Sequence, residues 1–179
     1  MTQITLHDKV FSKYISSGEI LDAVKNIAEC INNDIKNEEL PVFLSILNGS
    51  FMFTSDLMKY INFDCLLSFI KLSSYDGLSS KGEIKELIGL NFDLTGKTVV
   101  ILEDIIDTGV TVEHLVGVIS KYKPKQLKIA TMLFKPEAYA KDIKLDYTGI
   151  LVPNEFIVGY GLDYNGLGRN YPDIYKLVK

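Results

Sequence analysis

The chain has 179 residues, a formal net charge of −4, 47% hydrophobic and 23% charged side chains. That length suits one domain with a full hydrophobic core, and the composition excludes a disordered chain. No basic block is present, which speaks against a broad electrostatic grip on nucleic acid and leaves any anionic substrate to be captured locally.

The N-terminal stretch MTQITLHDKVF carries no charged leader followed by an apolar run, and no later segment has the apolar length needed to span a bilayer. A cytoplasmic protein without membrane contact is expected. Glu19 to about Lys36 then places Ile20, Val24, Ile27, Ala28 and Ile31 at helical spacing, an amphipathic helix. Cys30 and Cys65 form neither a disulfide framework nor a zinc spacing and are expected inside, in a reducing compartment. Pro41 opens the apolar run PVFLSIL, bounded by Asn48-Gly49-Ser50, and FMFTSDLMKY has helix-compatible spacing, so the order is strand, tight loop, helix.

A second buried strand is expected between Phe63 and Leu72, emptying into the polar, glycine-bearing loop Ser73 to Gly82. Residues 83 to 90 suit an edge strand, Leu94 to Lys97 a turn, and Thr98 to Leu102 a β-branched core strand. After it Val112, Leu115, Val116 and Ile119 recur at i, i+3, i+4 and i+7, a helix packed on the sheet, and Leu127 to Phe134 forms another strand before Lys135-Pro136. Alternating strands and helices imply an α/β fold with a mainly parallel sheet covered on both faces. Ligands of such sheets gather beyond the carboxyl ends of the strands. The final stretch, Tyr147 to Lys179, is rich in Tyr, Gly and Asn and is expected to contribute to a small β-rich hood formed by terminal segments of a single domain spanning 1–179. His7 and His114 have no histidine or cysteine at ligand spacing and are expected at surface or partly packed positions.

Residues 99 to 111, VVILEDIIDTGVT, carry the chemistry. Asp107 before a helix could serve as a cap. Capping does not account for Glu103 and Asp104, because adjacent carboxylates at the end of a buried strand repel unless something is bound. Gly109 permits a tight turn whose amides, with the Thr108 and Thr111 hydroxyls, can surround a phosphate at a helix N-terminus. Acids beside a phosphate cradle are compatible if one ligand offers both a phosphate and neighbouring hydroxyls, as a ribose 5-phosphate does, and a divalent cation would relieve the repulsion further. There is no GxxxxGK[ST] and no GxGxxG after a strand, which argues against a P-loop nucleotidase or a Rossmann dehydrogenase.

VVILEDIIDTGVT resembles the signature of the type I phosphoribosyltransferases, specifically the hypoxanthine (hypoxanthine-guanine) phosphoribosyltransferases. Four further segments resemble the same family in the same order: LNGSFMF at 47 to 53, KLSSYDG at 71 to 77, ATMLFKPEA at 130 to 138, and FIVGYGLDYNGLGRNYPDI at 156 to 174. The resemblance implies the type I phosphoribosyltransferase fold and transfer of a phosphoribosyl group from 5-phosphoribosyl 1-pyrophosphate to N9 of a 6-oxopurine. Magnesium (Mg2+) is the implied cofactor, and a homodimer or homotetramer the implied assembly.

The resemblance also implies roles. Glu103 and Asp104 hold the ribose hydroxyls directly or through magnesium, and Asp107 assists proton removal from the purine N7. Asp107, Thr108, Gly109, Val110 and Thr111 hold the 5′-phosphate. Lys135 donates to the purine 6-oxo group, Phe156 stacks on the base and Ile157 offers its backbone carbonyl. Asp163 stands near the purine and a second magnesium, while Arg169 approaches the pyrophosphate with the loop Asn48, Gly49 and Ser50. Ser74 and Tyr75 fold over it as a lid. Asn48 stands where one common family pattern has lysine, so pyrophosphate binding leans on the Gly49 and Ser50 amides, Arg169 and magnesium, and the loop is expected to adopt an unusual backbone conformation. By residues alone, Lys135 reads equally as a snorkelling surface lysine, and Phe156 and Ile157 as core residues. Two rival functions stay open: a regulatory protein of the same fold that binds nucleotide and RNA without catalysis, and transfer to a pyrimidine or to xanthine.

Overall fold

The computed structural model describes residues 2–73, 85–86 and 92–178. In chain order its elements are β1 (Gln3–Leu6), β2 (Lys9–Ile15), α1 (Ser17–Ile35), β3 (Val42–Leu47), α2 (Phe51–Met58), β4 (Leu66–Ser73), β5 (Lys85–Glu86), β6 (Thr98–Ile106), α3 (Val110–Ser120), β7 (Gln126–Phe134), β8 (Tyr147–Leu151), β9 (Ile157–Val158) and β10 (Ile174–Leu177).

The main sheet has the order β5-β4-β3-β6-β7-β8. All neighbours from β4 to β8 are parallel, and β5 adds an antiparallel edge. The apolar face of α1 (Ile20, Val24, Ile27, Ile31) packs with Phe53 and Leu57 of α2 against Phe43, Val100, Leu102 and Met132 on one side of the sheet. On the other side Val112, Leu115 and Ile119 of α3 meet Val42, Leu44, Val99, Ile101 and Ile129. Strands covered on both faces must be apolar throughout, which explains why β3 and the first part of β6 read as unbroken hydrophobic runs.

Helix α1 starts at Ser17, two residues ahead of the expected Glu19. Ser16 and Glu19 form a capping box, with the Glu19 N–H donating to Ser16 Oγ at 3.3 Å and the Ser16 N–H donating to Glu19 Oε2 at 2.9 Å. The hood is an antiparallel sheet in the order β1-β2-β10-β9, drawn from both ends of the chain around Leu6, Phe11, Val158 and Tyr175.

Three expectations are corrected. Tyr147–Leu151 belongs to the main sheet, pairing in parallel with β7 from Ala130↔Tyr147 to Phe134↔Leu151, while residues 135–146 make the crossover without a helix. With no helical periodicity before it, this strand resembled hood sequence. Strand β6 continues through the acids to Ile106 instead of stopping at Leu102, because its pairing with β7 persists through Ile106↔Phe134. Finally, Cys30 lies exposed on the outer side of α1, and Cys65 is half-buried.

Candidate active site

The site begins with a mismatch of strand lengths. β3 pairs with β6 only from Val42↔Val99 to Ser45↔Leu102, while on its other edge it pairs with β4 as far as Leu47↔Lys71. From β3 the chain moves outward to β4, then crosses to β6 on the opposite side, so a crevice opens at the carboxyl ends of β3 and β6. Residues 48–50 and 103–111 meet there.

The Cα of Gly49 lies against Asp104, and a Cβ built at Gly49 would overlap the Asp104 carboxylate. Only glycine allows this approach. The neighbouring hydroxyls fix the loop, with Ser50 Oγ donating to Ile46 O at 2.5 Å and Ser45 Oγ standing 2.7 Å from both Ser50 Oγ and Thr54 Oγ1. The Ser50 N–H also turns back to Ile46 O at 3.4 Å, so the amide expected to face pyrophosphate points into the fold. Asn48 is exposed, and the Leu47–Asn48 peptide bond is cis, the unusual backbone expected of this loop.

Glu103 is buried, and both its burial and the charge of Asp104 beside it hold its carboxyl well above the ordinary carboxylate range. Burial likewise pushes Asp104 up to about 6, although the Ile105 N–H donates to its Oδ1 at 2.9 Å and Arg169 carries positive charge nearby. Two adjacent carboxyls driven toward neutrality fit a position that a cation or a sugar diol would complete. Among the described residues no three His, Cys, Asp or Glu side chains gather as a ready metal cluster. Asp163 is not brought into such a cluster with Glu103 and Asp104. Its Oδ1 pairs with Arg169 Nη2 at 2.6 Å, and its Oδ2 accepts from the Gly166 N–H at 2.7 Å.

A pocket of about 100 Å3 is formed by Glu103 with the turn from Ile105 to Val112. Gly109, at φ 82°, is the N-cap of α3 and no side chain caps the helix, so capping does not explain Asp107. Glycine is needed there twice, since a Cβ would also lie 2.5 Å from the Tyr139 ring. The uncapped first turn leaves backbone N–H groups for an anion.

A second pocket of about 250 Å3 adjoins the first, sharing Ile105 and Asp107, and brings together Gly49, Asp104, Lys135, Phe156, Ile157, Leu162, Asp163 and Arg169. Lys135 is 8% exposed and donates from Nζ to Asp107 Oδ2 at 2.9 Å, so it is no snorkelling surface lysine. Phe156 is 44% exposed, with Phe11 at 6.1 Å and Tyr164 edge-on at 5.8 Å behind it. Ile157 is buried in β9, and Arg169 Nη1 donates to Gly161 O at 2.7 Å. Ile105 and Leu162 line the pocket without any sequence signal separating them from core residues. Ser74 and Tyr75 fall outside the described residues.

The model of the phosphoribosyl transferase domain matches residues 13–165. The chain belongs to the phosphoribosyltransferase family. Within it, similarity runs to the hypoxanthine-guanine phosphoribosyltransferases. That of Staphylococcus epidermidis is 38% identical over 94% of this chain and 94% of its own length. A crystal structure of the Bacillus anthracis hypoxanthine-guanine phosphoribosyltransferase superposes with a TM-score of 0.86 at 38% identity, covering 96% of this chain and 99% of that one. The chain is also 36% identical over 95% of its length to the bifunctional protein TilS/HprT of Listeria monocytogenes, of which it spans only 26%. No helix among the described residues is long and apolar enough to cross a membrane.

Proposed function

We propose that the chain is a purine-salvage phosphoribosyltransferase that moves the phosphoribosyl group of 5-phosphoribosyl 1-pyrophosphate to N9 of hypoxanthine and of guanine, giving IMP or GMP and pyrophosphate. The observation that carries this reading is the pair of adjoining pockets hinged on Asp107, one an uncapped helix N-terminus beside two acids, the other a buried lysine and a partly exposed aromatic ring.

The amides and hydroxyls from Asp107 to Thr111 hold the 5′-phosphate, and Glu103 and Asp104 hold the ribose hydroxyls. In the second pocket the base lies on Phe156. Lys135 donates to its 6-oxo group, and the Ile157 carbonyl receives its edge. Adenine presents an amino group at that position and would place donor against donor. As the bond from sugar C1 to pyrophosphate breaks and the bond from C1 to N9 forms, positive charge develops on the sugar and the acids stabilise it. Asp107 accepts the proton that the purine sheds at N7.

Magnesium, when bound, would be held by Glu103 and Asp104, with Asp163 toward the pyrophosphate, and would neutralise the leaving group. Gly49 and Asn48 approach the pyrophosphate at the end of β3. Arg169 reaches it by exchanging Asp163 for a phosphate oxygen. The protein acts in the cytoplasm as a homodimer or homotetramer without nucleic acid.

Pyrophosphate release with 5-phosphoribosyl 1-pyrophosphate, magnesium and each of hypoxanthine, guanine, xanthine, adenine and uracil tests the reading. Turnover of hypoxanthine but not of adenine or uracil is expected. Folded protein active on none of them would favour the regulatory alternative, and activity on uracil alone would overturn the purine assignment.

A further inference from the structure

The Tyr160 hydroxyl ties the loop that carries Leu162, Asp163 and Arg169 to α2. Tyr160 is 4% exposed, and its OH donates to Asp56 Oδ2 on α2 at 2.8 Å. Its backbone sits at φ 48° between Gly159 at 100° and Gly161 at 99°, a run of left-handed residues that a tyrosine adopts only when its surroundings impose it. Burial and the Asp56 acceptor push the phenol further up from its ordinary range, so it keeps its proton and remains a donor.

The next residue explains why the tether matters. A Cβ at Gly161 would overlap the Gly49 carbonyl, as one at Gly49 would overlap the Asp104 carboxylate. Gly161, Gly49 and Asp104 therefore form a stack without spare room, running from the hood loop through the loop after β3 to the acid. α2 begins at Phe51, two residues after the middle layer of that stack, and carries Asp56. Asp56 also pairs with the exposed Lys59 at 2.7 Å. On the hood side the Gly161 N–H donates to Arg169 O at 3.0 Å and Arg169 Nη1 returns a bond to Gly161 O, so the arginine moves with Gly161.

We propose that Tyr160 is a positioning residue: anchored on Asp56, it holds Gly161 against Gly49 and thereby sets the distance between the purine pocket and the acids that carry the sugar. This rests on the phosphoribosyltransferase reading above. A buried hydroxyl that loses its partner is left unsatisfied, whereas phenylalanine in its place keeps the ring and removes only the tether.

The test is steady-state kinetics on the full chain, with thermal melting alongside. Tyr160→Phe is expected to raise KM for hypoxanthine and for 5-phosphoribosyl 1-pyrophosphate together, each about fivefold, and to lower kcat by a similar factor, because the purine and the sugar are no longer held at the set distance. Calorimetric titration with IMP should show the same loss without any chemistry. Asp56→Ala should reproduce the effect. Asp56→Asn, which keeps an acceptor oxygen, should stay close to wild type, as should Lys59→Ala. The Tyr160→Phe, Asp56→Ala double variant should be no worse than either single one. Unchanged KM values in a Tyr160→Phe protein that merely melts earlier, or additive losses in the double variant, overturn the inference alone. Wild-type protein that turns over no purine and binds no IMP overturns the substrate reading and this inference with it.

Discussion

Lys135 Nζ stands 2.9 Å from Asp107 Oδ2, joining residues 28 apart in sequence at the border of the two pockets. The lysine comes from the end of β7 and the aspartate from the turn after β6, so the pairing of those neighbouring strands aligns the two groups. Each side chain compensates the other's charge, and each also faces the purine's position in the proposed reaction.

Asp107→Asn keeps an oxygen for Lys135 and removes the group that takes the purine proton. Turnover should fall about 10²–10⁴-fold with most substrate binding retained. Measuring kcat and KM separately checks this, and full turnover would remove Asp107 from the chemistry.

Lys135→Met keeps the apolar stem and deletes the donor. The kcat/KM for hypoxanthine should fall about 10- to 100-fold, as expected for loss of a hydrogen bond from a charged group, and discrimination against adenine should narrow. Parallel assays with the two bases decide it. Unaltered selectivity would place the recognition of the 6-oxo group elsewhere.

Gly49→Ala forces a methyl group into the Asp104 carboxylate. A stability loss of about 1–3 kcal/mol and collapse of activity are expected. Gly117→Ala, inside α3 where an added Cβ meets nothing within 4 Å, should instead stabilise by about 0.5–1 kcal/mol and leave kinetics intact. Thermal melts of both variants make the comparison, and equal effects would contradict the close approach of Gly49 to Asp104.

Sequence revealed those parts of the molecule whose signals are local. Ile20, Val24, Ile27, Ala28 and Ile31 announce α1 because one helix face must be apolar, and VVILEDIIDTGVT announces the site because acids next to an apolar strand require a partner. The β1–β2 hairpin gave no such signal: its turn places His7 at φ 52° where a glycine or asparagine would have marked it. Tyr147–Leu151 follows no helix, so nothing local marks it as a strand of the main sheet. The stack of Gly161, Gly49 and Asp104 joins three distant segments, and nothing local distinguishes those two glycines from any turn glycine.

The acids predict a pH dependence with a definite sign. Burial lifts Asp104 from 3.8 to about 6 and lifts Glu103 in the same direction. A carboxyl whose folded pKa lies above its unfolded value binds more protons in the native state, so metal-free protein loses stability as pH climbs from 3.8 to about 6 and does not regain it above. The Asp104 contribution is at most about 3 kcal/mol, and its partial exposure favours a smaller value. In chelator, the unfolding free energy of wild type minus that of Asp104→Asn should fall across this window. Magnesium with 5-phosphoribosyl 1-pyrophosphate should restore wild type above it. A flat difference would contradict the burial of this carboxyl.

The most direct measurement is a crystal structure with phosphoribose, as IMP or as 5-phosphoribosyl 1-pyrophosphate with magnesium. The 5′-phosphate should rest on the backbone amides from Asp107 to Thr111, with the ribose hydroxyls at Glu103 and Asp104. Phosphoribose bound away from residues 103–111 would contradict the account.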